Sequence, residues 1–118
     1  CCMDSCPTGA AMGDARVDAR RCLSYLTIEH KGSIPAEWQT AVAGTLFGCD
    51  CCTAVCPWNA RATAPVMAEL ELRDPLPSPE ACLAMDVAAF DARFEGTAVH
   101  RTGLERLKRN AALSRQNL

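Results

Sequence analysis

GCDCCTAVCPWN, residues 48–59, holds four cysteines in eight positions and sets a proline directly after the last of them. Disulfides, a structural zinc site and an iron-sulfur cluster are the chemistries that crowd thiols in this way. The stretch has a counterpart at the start of the chain, CCMDSCP, residues 1–7, with a lone Cys22 between the two. Read together, Cys2 and Cys6 form C-x3-C-P, Cys22 follows sixteen residues later, and Cys49, Cys52 and Cys56 form C-x2-C-x3-C-P. Cys1, Cys51 and Cys82 are left over.

An odd total of nine cysteines, several in close pairs, fits a secreted disulfide framework poorly. Zinc takes four ligands, commonly as two C-x2-4-C pairs, and gives no reason for a proline after both Cys6 and Cys56. The bacterial two-cluster run does: it gives three thiolates to one cubane and sends its fourth cysteine, the one before proline, to another. Proline there has no amide hydrogen and a fixed backbone angle, so it turns the chain without adding a donor. If two 4Fe-4S clusters share ligands in this crossed manner, Cys6, Cys22, Cys49 and Cys52 complete one, and Cys2 and Cys56 supply half of the other. The missing half is expected in a C-x2-C-x2 segment ahead of Cys1. The chain, which opens without methionine, therefore reads as a fragment. Cys1 and Cys51 each adjoin a better-placed ligand and read as small apolar fillers. Cys82 reads as a core or surface thiol, and His30 and His100 as surface residues.

The rest of the composition agrees with a stapled domain. The chain has 118 residues, 49% of them hydrophobic, but only three phenylalanines and one tyrosine, so metal or covalent links are expected to supplement a modest core. No apolar run approaches the roughly 20 residues that span a bilayer, and no secretory leader is visible, so the reading is a soluble cytoplasmic protein without membrane contact. Net charge is −2, which gives the whole chain no nucleic-acid signature. Beyond His100, however, Arg101, Arg106, Lys108, Arg109 and Arg115 face only Glu105. Such a run is either a solvated face or a set of phosphate contacts.

Helical periodicity dominates. Asp18 is placed to cap a helix over ARRCLSYLTIEH that carries Cys22 in its first turns. Gly32 breaks that helix and Pro35 starts another, with Trp38, Val42 and Leu46 on its apolar side. A loop then feeds a short helix carrying Cys52 and Cys56, as spacings of three and four suggest. Pro65, Pro75, Pro77 and Pro79 mark an extended surface connection. Beyond it, Asp86 is placed to cap VAAFDARFEG, and Leu104, Leu107, Ala111 and Leu113 to line one face of a last helix. No strand alternation is convincing. The expected fold is mostly α with irregular loops, divided into a cluster-binding unit at 1–62, a Pro-rich linker at 63–80 and a helical segment at 81–118.

These residues also carry a resemblance. VDARRCLSYLTIEHKGSIP, FGCDCCTAVCPWN and FEGTAVHRTGLERLKRNAA resemble, in the same order, the C-terminal part of the epoxyqueuosine reductases, cobalamin and iron-sulfur enzymes of tRNA modification. The resemblance implies a bacterial ferredoxin-like module with two 4Fe-4S clusters, followed by a HEAT-like helical segment. It implies that epoxyqueuosine in the anticodon wobble position of tRNA is reduced to queuosine at cobalamin, with electrons from an external donor relayed by the clusters. Cys2 and Cys56 match ligands of the first cluster, and Cys6, Cys22, Cys49 and Cys52 those of the second. Ser24 and the Cys49–Asp50 backbone lie where the family approaches cobalamin, although a hydroxyl bonded to its own helix and a helix cap are equally natural roles for the two side chains. Arg101, Arg106, Lys108 and Arg109 become candidate tRNA contacts, and Arg20 and Arg21 candidate charges near a cluster. The family's catalytic domain and proton donor are expected upstream, the C-terminus is expected to be truncated or divergent, and the whole enzyme to be a monomer. The alternatives are a two-cluster module of another corrinoid reductase with no RNA substrate, and a zinc-binding interaction module.

Overall fold

The computed structural model describes residues 1–63, 67 and 74–115. Among these the chain is helical and irregular, with a single isolated bridge between Ala11 and Val17 in place of any strand. The helices are α1 (Leu23–Ile28), α2 (Ala36–Val42), α3 (Cys51–Ala54), α4 (Pro79–Ala84), α5 (Val87–Phe94), α6 (Ala98–Thr102) and α7 (Leu104–Arg115), with 3-10 turns at Ala19–Arg21 and Asn59–Arg61.

The Ala11–Val17 bridge closes a small hairpin. Met12 N–H donates to the Arg16 carbonyl at 2.9 Å, and Asp14 and Ala15 both have positive φ, 58° and 57°. Two such residues in succession are the signature of a type I′ turn, which aspartate tolerates but alanine resists because its Cβ crowds the backbone. Ala15→Gly is therefore expected to stabilise the protein by about 1 kcal/mol, seen as a higher thermal midpoint. A midpoint that stays put or falls would show that the turn carries no such strain.

The helix expected to run through Cys22 is interrupted there. Asp18 accepts the Arg20 N–H, but its carboxylate is also gripped by the Arg20 side chain at 3.0 and 3.1 Å, so it closes a tight 3-10 turn. Cys22 is extended, with φ −67° and ψ 126°, and α1 begins one residue beyond it. Pro35 likewise sits one place ahead of α2 rather than inside its first turn. Leu46 falls past the end of α2 and does not share its apolar side.

In the C-terminal part, Ser78 accepts the Ala81 N–H and Pro79 occupies the first turn of α4, so helix begins at the end of the proline-rich stretch. Residues 64–66 and 68–73 of that stretch, Pro65 among them, lie outside the described residues, so the expected extended connection is not described there. Asp86 caps α5 as its position suggests, accepting the Ala89 N–H at 2.8 Å.

Two apolar cores result, and α7 belongs to both. Cys82, Phe90, Phe94, Leu107 and Ala111 form one, joined by Leu46 and Leu104; Leu23, Leu26, Ile34 and Val42 form the other, joined by Trp38, Cys49 and Leu113. Leu113 thus leaves the face that Leu107 and Ala111 share, because a step of two residues turns about 200° around a helix. The buried stripe of α7 is instead Leu107, Asn110, Ala111 and Ser114. Cys82 is a core thiol, and burial pushes its pKa up.

Candidate metal centre

The cysteine-bearing segments are tied to one another pairwise. The Cys1 thiol donates to the Val55 carbonyl at 3.1 Å, and the Ser5 hydroxyl lies 3.2 Å from the carbonyls of both Cys2 and Cys51, so the N-terminal segment rests on the 48–59 stretch. Arg21 donates to the Thr8 carbonyl at 2.6 Å and Asp18 N–H to the Ala10 carbonyl at 2.9 Å, which joins the loop after Cys6 to the segment that carries Cys22. Gly9 makes that approach possible: a Cβ there would stand 3.1 Å from Arg21 Nη2, and its φ of +60° suits glycine. Thr27 Oγ1, 3.3 Å from the Gly48 carbonyl, joins α1 to the loop ahead of Cys49. The Arg21 guanidinium stands 5.4 Å from the centre of the Trp38 ring, so that tryptophan packs as expected and also faces a cation.

The thiols differ in setting. Cys6, Cys22, Cys49 and Cys56 are half-buried, whereas Cys2 and Cys52 are exposed. Burial pushes the Cys6 thiol up, but amide hydrogens of Ala11, Thr8 and Ala10 and the Thr8 hydroxyl, 3.7 Å from its sulfur, outweigh it and hold the pKa below the usual thiol value. Burial also pushes Cys49 up; the Cys51 amide opposes this, and the neighbouring Cys51 and Cys22 thiols add to it. Cys49 and Cys22 are therefore within electrostatic reach of one another. α3 carries Cys52 but ends before Cys56, whose N–H turns back to the Thr53 carbonyl at 3.1 Å just ahead of Pro57. Proline disfavours a helical residue before it, which explains the early stop. Cys1 and Cys51 are both exposed, so neither is an apolar filler.

Asp50 heads α3 without capping it; its carboxylate instead accepts from Thr53 Oγ1 at 3.3 Å. Ser24 is half-buried and, among the described residues, its hydroxyl has no hydrogen-bond partner; the bond back to a helix carbonyl is made by Thr27, to Leu23 at 2.8 Å. A cleft of about 320 Å³ lies beside Cys49, Asp50 and Cys51, walled by residues 44–47, Leu76 and Pro77. Asp50 lines it and Ser24 does not.

Three members of the basic run, Arg101, Arg106 and Arg109, have partners within the protein. Arg101 pairs with Glu29, and Arg106 donates to the Thr102 carbonyl at 2.6 Å. Arg109 reaches the carbonyls of Leu26, His30 and Gly32 at 2.7–2.8 Å, so its guanidinium is a clasp within the fold rather than a free phosphate ligand. Burial, with Arg106 nearby, lowers its pKa, and the carbonyl oxygens offset that penalty. His100 lies 3.0 Å from Asp91 and stacks on Phe90, and His30 meets the Ser33 carbonyl at 3.1 Å, so both histidines have partners within the protein.

This donor set suits a cluster held at separate corners: thiols from interlocked segments, one of them favoured as thiolate by amide hydrogens. The Arg21 Nε, buried and without an acceptor among the described residues, adds a charged donor on the residue next to Cys22. Among the described residues no three His, Cys, Asp or Glu side chains gather tightly enough to hold a single metal ion. Residues 1–59 match the family model of the 4Fe-4S double cluster binding domain. The chain belongs to this family.

Relatives extend the similarity past the cluster-binding part. The chain is 43% identical to an epoxyqueuosine reductase of Burkholderia pseudomallei and 41% identical to that of Escherichia coli, over 98% of its own length and 29% and 31% of theirs. Among solved structures it superposes on epoxyqueuosine reductase from Bacillus subtilis with a TM-score of 0.85 at 34% identity, covering 96% of this chain and 31% of that one. A crystal structure of epoxyqueuosine reductase with a tRNA-Tyr epoxyqueuosine-modified stem loop gives the same TM-score and identity, over 96% of this chain and 30% of that one. The chain thus spans about a third of the length of the curated relatives it matches. Among the described residues no helix is long and apolar enough to cross a membrane.

Proposed function

We propose that this chain is the electron-transfer part of a cobalamin-dependent epoxyqueuosine reductase acting on the tRNA anticodon wobble position. Residues 1–62 form the cluster-binding unit, 63–80 the connection and 81–118 a HEAT-like helical segment. Cys6, Cys22, Cys49 and Cys52 hold one 4Fe-4S cluster, and Cys2 and Cys56 supply half the ligands of a second. The observation that carries the reading is the pairwise tying of the three cysteine segments, which joins α1 to the loop ahead of Cys49 and packs the Cys1–Cys6 segment on the Cys51–Cys56 segment.

The chain's own residues then have definite work. Amide hydrogens around Cys6 favour thiolate over thiol and so favour iron binding, and donors to cluster sulfur raise its potential. Cys49 packs against Leu23, Leu26 and Val42, and these apolar side chains would limit water around a cluster held there. Cobalamin, bound in the whole protein, would supply the metal at which the epoxide is reduced. Ser24, whose hydroxyl has no partner among the described residues, and the Cys49–Asp50 backbone beside the cleft are this chain's contribution to its surroundings. An external donor feeds the clusters, in a soluble, cytoplasmic monomer.

The test is anaerobic iron and acid-labile sulfide analysis of the whole protein, with EPR after dithionite, followed by turnover of epoxyqueuosine-modified tRNA. About eight irons and eight sulfides with a coupled reduced spectrum are expected for two cubanes. Stoichiometric zinc without sulfide after anaerobic purification would overturn the assignment. Two clusters with no turnover of the modified tRNA would point to another corrinoid reductase.

A further inference from the structure

We infer that Arg109 and Asn110 of α7 are positioning residues for the cluster held by Cys6, Cys22, Cys49 and Cys52; this rests on the function proposed above and deepens it. Asn110 is completely buried. Its Nδ2 donates to the Thr27 carbonyl at 2.9 Å and the Leu46 carbonyl at 2.8 Å, and its Oδ1 accepts from Arg109 Nε at 3.1 Å and Nη2 at 2.9 Å. Both amide hydrogens and both lone pairs are thereby used. Arg109 also donates through Nη1 to the His30 and Gly32 carbonyls at 2.8 and 2.7 Å and through Nη2 to the Leu26 carbonyl at 2.7 Å. All five guanidinium donors are engaged.

The acceptors give this network its meaning. Leu26 and Thr27 lie in the last turns of α1, where carbonyls lack partners within the helix, and α1 starts one residue after Cys22. Leu46 stands three residues ahead of Cys49. One carboxamide therefore spans the segment that carries Cys22 and the segment that carries Cys49. Thr27 repeats the link through the Gly48 carbonyl at 3.3 Å. Ser114 extends it, accepting the Gly44 N–H at 3.2 Å and donating to the Asn110 carbonyl at 3.0 Å. A buried polar network with every group satisfied specifies one arrangement, whereas an apolar side chain at position 110 would pack without fixing either segment. Cluster ligands need placement to within about 0.5 Å, and this network lies behind two of the four.

The test compares the whole protein, purified anaerobically, with its Asn110→Asp and Arg109→Lys variants, and uses Phe90→Leu in the other core as a stability control. Asn110→Asp keeps the shape and the acceptor for Arg109 but turns both donors into acceptors facing carbonyls. Arg109→Lys keeps the charge but has at most three donors. The readouts are iron and sulfide content, the EPR-monitored potential of each cluster, and the rate of iron loss to a chelator. Asn110→Asp is expected to lose iron from one cluster at least about tenfold faster than wild type, the effect of roughly one lost buried bond, and to shift the potential of that cluster alone. Arg109→Lys shows the same selectivity to a smaller degree, and decides the matter where Asn110→Asp does not accumulate. Phe90→Leu leaves the rate within about twofold. Equal iron loss from Asn110→Asp and from a control of equal thermal midpoint, or equal damage to both clusters, overturns the inference while leaving the proposed function intact. A wild-type protein without iron and sulfide overturns both.

Discussion

Cys49→Ser in the whole protein is expected to remove one cluster, leaving about four of eight irons, and to lower epoxyqueuosine turnover by more than a factor of about 100. The figure exceeds the range typical of outer-shell losses because the change strikes the metal bond itself. Serine has a far higher pKa than a thiol and offers a hard oxygen, so it competes poorly for cluster iron. Cys49 is also half-buried, packed against Leu23, Leu26, Ile34 and Val42. Iron and sulfide assays with tRNA turnover check the result, with Cys51→Ser and Cys52→Ser alongside. The C-x2-C spacing requires that Cys52→Ser behave like Cys49→Ser and that Cys51→Ser retain both clusters. The reverse pattern would reassign the ligand to Cys51, whose thiol also neighbours Cys49.

Leu107→Ala is expected to cost about 2–5 kcal/mol of stability. Leu107 is completely buried among Cys82, Phe90, Phe94 and Ala111, and removing three carbons there leaves a void that rigid neighbours cannot fill. Urea denaturation should show a lower midpoint with an unchanged slope, whereas a loss under about 1 kcal/mol would mean that the core closes over the gap. The contrast with Asn110 on the same helix is informative. Leu107 contributes stability without choosing where the cysteine segments lie, and Asn110 does the choosing.

The cysteine pattern was legible because ligand spacing is a local property of the chain: two C-x3-C-P runs survive any arrangement of the elements around them. Asp86 was legible for the same reason, since a cap needs only the three residues that follow it. What the sequence hid was tertiary. The apolar spacing around Cys22 predicts a helix through it, yet the grip of Arg20 on Asp18 closes a tighter turn first. Helical periodicity groups Leu113 with Leu107, yet it turns toward the other core. Arg109 is the clearest case. In a basic run it looks like a phosphate contact, and only the carbonyls of Leu26, His30 and Gly32, 77 to 83 positions away, reveal what it binds. One signal was available: a lone asparagine three residues after Leu107, on a stripe otherwise suited to apolar side chains, marks a buried polar junction.

That junction also sets an order of events. The carbonyls of Thr27 and Leu46 find their side-chain partner 83 and 64 positions downstream, after every cysteine of both motifs has been synthesised. At about 5–20 residues per second, several seconds separate the emergence of Cys56 from that of Asn110. During that interval the segments that carry Cys22 and Cys49 have the Thr27–Gly48 link but not the Asn110 bridge, and closing a loop of this length carries its own entropic cost. In the proposed assignment, the segments that carry Cys22 and Cys49 thus gain their shared bridge only once α7 has been synthesised and folded back onto α1.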